Sequence, residues 1–324
     1  MKFRTEFTIP KSPHPISLQS RVVTLGSCFA DVMGHQLKAN KLAVEVNPFG
    51  TLFSPLAIGK VLELLLGSQS VDERLFVENQ GRWFHYDFHS SLSAPNRSEL
   101  ASQLQQRIAQ LQATLCQANV LILTFGTAFA YRLNEPPTYV ANCHKMPGSL
   151  FTKDLLSVKD ICKNMGVLYH QLMALNPTLH VIVTVSPVRH TRDGIPENSV
   201  SKAVLRAACH YLQTDFERIQ YFPSYEIMMD DLRDYRFYKA DLIHPNEVAE
   251  AYIAEQFAKT YFDEELLLFQ KNWQEIQRDL AHRSFDVTSE AHQHFLQKLL
   301  KKLENLPQNV DISDEIAAVR RNLR

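Results

Sequence analysis

"RVVTLGSCFADVMGHQL", residues 21–37, sets a β-branched run against an amphipathic one, with Gly-Ser-Cys at the junction. Val22, Val23 and Leu25 suit a buried strand, and Phe29, Met33 and Leu37 then repeat at helical spacing. A helix is therefore expected to start at about Cys28 or Phe29, with Ser27 or its neighbour as N-cap. Strand, tight turn and helix in direct succession form the opening unit of an α/β fold.

The same texture recurs along the chain. Further strands are expected at 42–46 (LAVEV), 120–124 (VLILT), 181–185 (VIVTV) and 219–228, and further helices at 55–67, 98–117, 154–175, 199–214 and 246–261. A run such as 120–124, apolar on both faces, suits a parallel strand covered by helices on both sides. "RLFVENQGRWFHYDF" alternates around Asn79-Gln80-Gly81 and reads as an inserted hairpin that shapes a pocket. Beyond about residue 262 the sequence turns to Leu-rich, charge-rich helical segments. The chain thus divides into residues 1–262 and a helical appendage, 263–324. Leu296, Leu299, Leu300 and Leu303 form one apolar stripe there, which must pack on the body or on a second copy of the chain.

Composition excludes several classes. With 324 residues, 45% of them hydrophobic, the chain has enough apolar side chains for a large core. A net charge of −1 gives no basic field for nucleic acid. The opening residues lack the apolar run of a signal peptide and no stretch suits a membrane span, so a soluble, cytoplasmic protein is expected. The five cysteines are odd in number, widely spaced and without a CxxC pair, which suggests neither a disulfide framework nor a zinc site. No metal and no cofactor is expected.

In open α/β sheets the ligand crevice lies beyond the carboxyl ends of the strands. Those positions carry Gly26-Ser27-Cys28, Asn47-Pro48-Phe49-Gly50-Thr51, Phe125-Gly126-Thr127 and Ser186-Pro187-Val188-Arg189-His190. Before the last helix of the body stands "DLIHPN", with Asp241 and His244 three residues apart. A carboxylate and an imidazole at that spacing on a turn can pair, aiming the other ring nitrogen at a nucleophile. Ser27 or Cys28 at a helix start would be that nucleophile, with the helix N-terminus and His244 favouring the ionised form. The plainer alternative is that Ser27 only caps the helix while Cys28 packs beneath it.

The segments "TLGSCFA", "NPFGTLFSP", "FGTAFAYR", "VSPVRH" with "SKAVL", and "DLIHPN" resemble the GSCFA family, among the SGNH (GDSL-like) hydrolases, over roughly residues 20–260. The resemblance implies a flavodoxin-like three-layer α/β/α sandwich with a mostly parallel sheet. It also implies a hydrolase that cleaves ester-linked acyl groups, often acetyl on a carbohydrate, through a covalent acyl-enzyme. In that register Gly26 matches the glycine of the first block and Cys28 the nucleophile, whereas a shift of one residue presents Ser27. Gly50 fits the second-block oxyanion donor. In the third block Ala128 stands where asparagine is expected, so Thr127 or Asn47 would have to replace that donor near Gly126. His144, Arg189, His190 and His89 are candidates to line the pocket, and Lys202, near a helix start, reads as a surface or capping residue. Two rival readings remain: an acyltransferase on the same scaffold, in which a sugar or coenzyme A thiol replaces water as acceptor and acetyl-CoA is a candidate partner, and a degenerate scaffold that binds a partner through the C-terminal helices.

Overall fold

The computed structural model of the chain describes residues 4–282, 284–287, 289–307 and 310–323. The strand that opens the sequence, β1 (Arg21–Gly26), lies mid-sheet. It leads into α1 (Cys28–Ala39), β2 (Ala43–Val46), α2 (Pro55–Leu65), the hairpin β3 (Phe76–Asn79) and β4 (Arg82–His85), α3 (Arg97–Cys116) and β5 (Val120–Phe125). Then come β6 (Phe129–Leu133), β7 (Thr138–Val140), β8 (Phe151–Leu155), α4 (Val158–Leu175), β9 (His180–Val185), α5 (Ile195–Asp215) and β10 (Ile219–Phe222). A single turn, α6 (Ser224–Glu226), precedes α7 (Glu247–Tyr261), α8 (Glu264–Ala281), α9 (Glu290–Glu304) and α10 (Ser313–Asn322).

The main sheet is β2-β1-β5-β9-β10, parallel throughout. Counting core strands alone, this is the flavodoxin order. Side chains alternate across it as a strand requires. Leu121, Leu123 and Phe125 of β5 face one apolar cluster with α2, α3, α4 and α5, while Val120 and Ile122 face a second cluster with α1 and α7. Helices cover both faces, giving three layers.

Three departures from the expected elements stand out. The segments FAYRL, TYV and FTKDL form a second, antiparallel sheet, β7-β6-β8, which the sequence pattern did not announce. The helix expected from 154 starts only at Val158, where a capping box between Ser157 and Asp160 fixes its first turn. The strand expected over 219–228 stops at Phe222, since Pro223 has no N–H to continue the ladder, and the chain turns helical. The β3–β4 hairpin forms as expected, with Gln80 (φ 52°) and Gly81 (φ 74°) both left-handed at its tip. Leu75, Tyr86, Leu133 and Val140 join this hairpin to the second sheet in a small core of their own.

The C-terminal helices pack on the body. Leu296, Leu299 and Leu303 are buried and Leu300 partly so, in the cluster that also holds Met33 and Leu37 of α1 and Phe257 of α7. Trp273 of α8 is buried and donates its indole N–H to the Ala39 carbonyl at 2.8 Å, while Lys41 pairs with Glu315 at 2.7 Å. Trp273→Ala is expected to cost about 3–5 kcal/mol. Limited proteolysis should then cut within α8–α10 well before the sheet; equal resistance in wild type and variant would count against this packing role. Among the described residues no helix is long and apolar enough to cross a membrane.

Candidate active site at the strand ends

At the carboxyl end of β1 the backbone closes on β5 more tightly than a side chain permits. Gly26 has φ 146°, and a Cβ there would lie 2.2 Å from the Thr124 carbonyl oxygen. The Gly26 N–H donates to Asn47 Oδ1 at 2.8 Å, and the Ser27 N–H to the Thr124 carbonyl at 3.0 Å. Ser27 is the N-cap of α1, yet its side chain makes no capping bond. Its Oγ is fully buried and has no protein partner among the described residues. Cys28, the first residue of the helix, is partly exposed.

The ionisation of Cys28 departs from the expected direction. The thiol pKa is pushed up, first by burial and then by the Asp31 carboxylate, which sits one helical turn along the same face. The N–H groups of Phe29 and Cys28, and Lys202, pull the other way without prevailing. A helix N-terminus alone does not make a thiolate here, so Cys28 needs a base to give up its proton.

Several of the expected oxyanion donors are already committed. The Gly50 N–H donates to the Asn47 carbonyl at 2.7 Å. Gly50 instead serves close packing: its φ is 72° and a Cβ would fall 2.4 Å from His89 Cβ. Asn47 uses Oδ1 on Gly26 and Nδ2 on Asp31 at 2.8 Å, so it braces the turn. Thr127 Oγ1 pairs with Ser201 Oγ at 3.0 Å and accepts from the Phe129 N–H at 3.1 Å, so it too is committed. Neither Asn47 nor Thr127 is thus a free replacement for the missing asparagine, and Ala128 is buried.

Gly126, His190 and Lys202 do converge on the Ser27–Cys28 turn. A Cβ on Gly126 would meet Ser27 Cβ at 3.1 Å and His190 Nε2 at 3.2 Å, so the bare glycine makes room for the imidazole beside the turn. His190 is held by its own N–H to Asn198 Oδ1 at 2.9 Å and by the edge of Phe53. Burial, then Lys202, lowers its pKa to about 4, and His244 contributes in the same direction. His190 is accordingly neutral at ordinary pH and lies within electrostatic reach of His244. Lys202, expected at the surface, is fully buried, with Nζ on the carbonyls of Gly126 (2.8 Å) and Ser186 (2.7 Å). A signal for this existed, because Lys202 falls within the inward stripe Asn198, Ser201, Leu205, Ala208, Cys209 and Leu212.

The Asp241–His244 pair stands on the loop before α7. Asp241 Oδ2 meets His244 Nδ1 at 2.7 Å, and Oδ1 accepts the N–H groups of Ile243 (2.9 Å) and His244 (3.0 Å). These bonds, the backbone ones first, hold the carboxyl down to about 2. Both side chains are exposed, at 45% and 42%, and His244 Nε2 has no protein partner among the described residues. The loop is pinned at its base, where Tyr238 bridges Pro245 and the Lys239 N–H donates to the His244 carbonyl. Arg189 stacks over the Tyr238 ring at 5.0 Å and donates to its hydroxyl at 3.0 Å, joining the loop after β9 to this one.

His144 belongs elsewhere. It lies in the inserted layer, with Nδ1 on Ser90 Oγ (3.0 Å), Nε2 on the His85 carbonyl (2.9 Å) and its ring stacked on Phe84, which leaves neither nitrogen for a ligand. His89 Nδ1 is likewise engaged with Ser91. Among the described residues no group of three or more His, Cys, Asp or Glu could hold a metal ion.

The chain is a parallel α/β sandwich with a Ser-Cys turn at one strand end and an ordered Asp–His pair on the loop before α7. Within it, residues 21–257 match the GSCFA family and residues 273–324 match the GSCFA domain protein, C-terminal domain; the chain belongs to the GSCFA family. No curated protein matches. Among solved structures the chain is similar to a family 3 carbohydrate esterase of Clostridium thermocellum, at 14% identity over 76% of this chain and 95% of that one, TM-score 0.31. A family 3 carbohydrate esterase from Talaromyces cellulolyticus gives 11% identity, 78% and 99% coverage and TM-score 0.32. A family 2 carbohydrate esterase with a carbohydrate-binding domain, from Corynascus thermopiles (Myceliophthora fergusii), gives 15%, 78%, 67% and 0.34.

Proposed function

We propose that the protein cleaves ester-linked acyl groups, with acetyl on a carbohydrate as the substrate class, through an acyl-thioester on Cys28. The observation that carries this reading is the 2.7 Å bond from His244 Nδ1 to Asp241, which leaves Nε2 of an exposed imidazole without a partner among the described residues. The carboxylate fixes the tautomer in which Nε2 is the proton acceptor. His244 takes the Cys28 proton, the sulfur attacks the acyl carbonyl, and the leaving alkoxide recovers a proton from the imidazolium. Water, activated by the same imidazole, then attacks the thioester and frees the acid and Cys28. The developing oxyanion faces the N–H groups of Cys28 and Phe29 and the positive end of α1. Cys28 is favoured over Ser27 because it is the accessible one, Ser27 Oγ being sealed from solvent.

The test is turnover of p-nitrophenyl acetate and release of acetate from acetylated sugars, with parallel incubations containing acetyl-CoA and acceptor sugars. Acetate release supports hydrolysis. Acyl transfer without acetate release replaces water by another acceptor in the last step, and no turnover of any of these overturns the proposal.

A further inference from the structure

Asn47 and Thr127 are committed to neighbours, and Lys202 Nζ rests on the carbonyls of Gly126 and Ser186. His190 differs from all three. Its backbone N–H goes to Asn198 Oδ1, but neither ring nitrogen has a hydrogen-bond partner among the described residues, and the residue is half-buried rather than sealed. Its position is fixed all the same. The ring meets Phe53 edge-on at 5.3 Å, Asp193 three residues on is paired with Lys153 of β8, and the preceding Arg189 is stacked on Tyr238.

Gly126 shows where the ring stands. A Cβ on that glycine would lie 3.2 Å from His190 Nε2 and 3.1 Å from Ser27 Cβ, so the imidazole nitrogen and the nucleophile turn close on one point from two sides. The third neighbour of that point, the Phe53 carbonyl oxygen at 3.1 Å, already accepts the N–H groups of Gly126 (2.8 Å) and Thr127 (3.0 Å). Both of its lone pairs are thereby engaged.

We propose that His190 is a catalytic residue whose Nε2–H hydrogen-bonds the acyl oxygen as it becomes an oxyanion, the side-chain donor that Asn47, Thr127 and Ala128 do not supply. The inference rests on the ester-cleavage reading above. As the Cys28 sulfur bonds to the acyl carbon, the π pair of the C=O bond moves onto oxygen, which accepts from Nε2–H; no proton crosses there. When the C=O bond reforms, the bond from the acyl carbon to the sugar oxygen breaks and the alkoxide takes the proton held by His244. The two imidazoles divide the work. His244, exposed and tied to Asp241, exchanges a proton. His190, held down to about 4 chiefly by burial, stays neutral at ordinary pH and keeps a single N–H, which Nε2 can carry because Nδ1 is also uncommitted. A donor fixed before the reaction begins needs no reorganisation when charge appears on the oxygen.

The experiment compares p-nitrophenyl acetate turnover in wild type, His190→Phe and His190→Gln, with folding checked by circular dichroism. Phenylalanine keeps a ring against Phe53 and removes the donor, whereas glutamine keeps an N–H. In His190→Phe kcat should fall about 10²-fold with KM little changed, and His190→Gln should recover about tenfold of that loss. Undiminished kcat in folded His190→Phe, or equal losses in both variants, overturns the inference. If wild type turns over no ester, the functional proposal fails, and titration of acetate into protein labelled with nitrogen-15 histidine decides this one; it decides also if neither variant folds. The His190 ring is identified there by its through-space contact with Phe53. An Nε2–H signal that moves with acetate and not with chloride supports the donor, and a ring that acetate leaves unmoved overturns it.

Discussion

Cys28→Ala should lower ester turnover by ~10³-fold or more, because the residual rate then comes only from binding and the oxyanion donors. Ser27→Ala should stay within a few-fold of wild type. Its hydroxyl is buried with no partner among the described residues, so deleting it breaks no hydrogen bond among them and removes a desolvated polar group. Mass spectrometry of protein quenched during turnover should find the acyl group on the peptide containing Cys28. An inactive Ser27→Ala protein beside an active Cys28→Ala protein would reverse the assignment. Labelling with iodoacetamide is expected to be slow at neutral pH and to climb in the alkaline range, since burial and Asp31 hold the thiol protonated. Cys116, exposed at the end of α3, should react first.

Replacing the base should be nearly as damaging. His244→Ala is expected to cost ~10²–10⁴-fold in kcat/KM, the range of general-base catalysis, because the resting thiol has lost little of its proton. Asp241→Asn should cost less, roughly 10²-fold. The amide oxygen can still accept from the Ile243 and His244 N–H groups, so the loop survives, but the imidazole loses the carboxylate that fixes its tautomer. With its pKa at about 2, Asp241 stays ionised above that value, and the pH–rate profile between pH 4 and 9 should show no limb that vanishes in Asp241→Asn. Wild-type rates in His244→Ala would remove it from the mechanism.

The main sheet was legible because its strands are short apolar runs buried on both faces, as in β5 and β9. The sheet β7-β6-β8 was not, since each strand is brief and mixed in polarity and β8 reaches β6 only after the chain has passed through β7 and a further turn. The candidate site was chosen by location, since strand ends and the turn before a late helix are where an α/β fold gathers its ligand-facing residues. What the residue types did not reveal is which donors remain free. Gly50, Asn47 and Thr127 all carry suitable groups, yet each is spent on a neighbour that only the folded loops bring near. Asp31 is a nearer miss, because its position three residues after Cys28 already put a carboxylate on the thiol's face. Lys202 was read as a surface lysine because that is where lysines belong, although its register on α5 pointed inward.

The clasp between the appendage and α1 bears on how the molecule comes apart. Trp273 and Gln277 both donate to the Ala39 carbonyl in the last turn of the helix whose first turn carries Cys28, and the apolar cluster beneath them runs without a break from α1 through α7 to α10. Neither part has a separate interior to fall back on along that face. Heat should therefore dismantle them in one cooperative step, with a single calorimetric peak whose van't Hoff and calorimetric enthalpies agree.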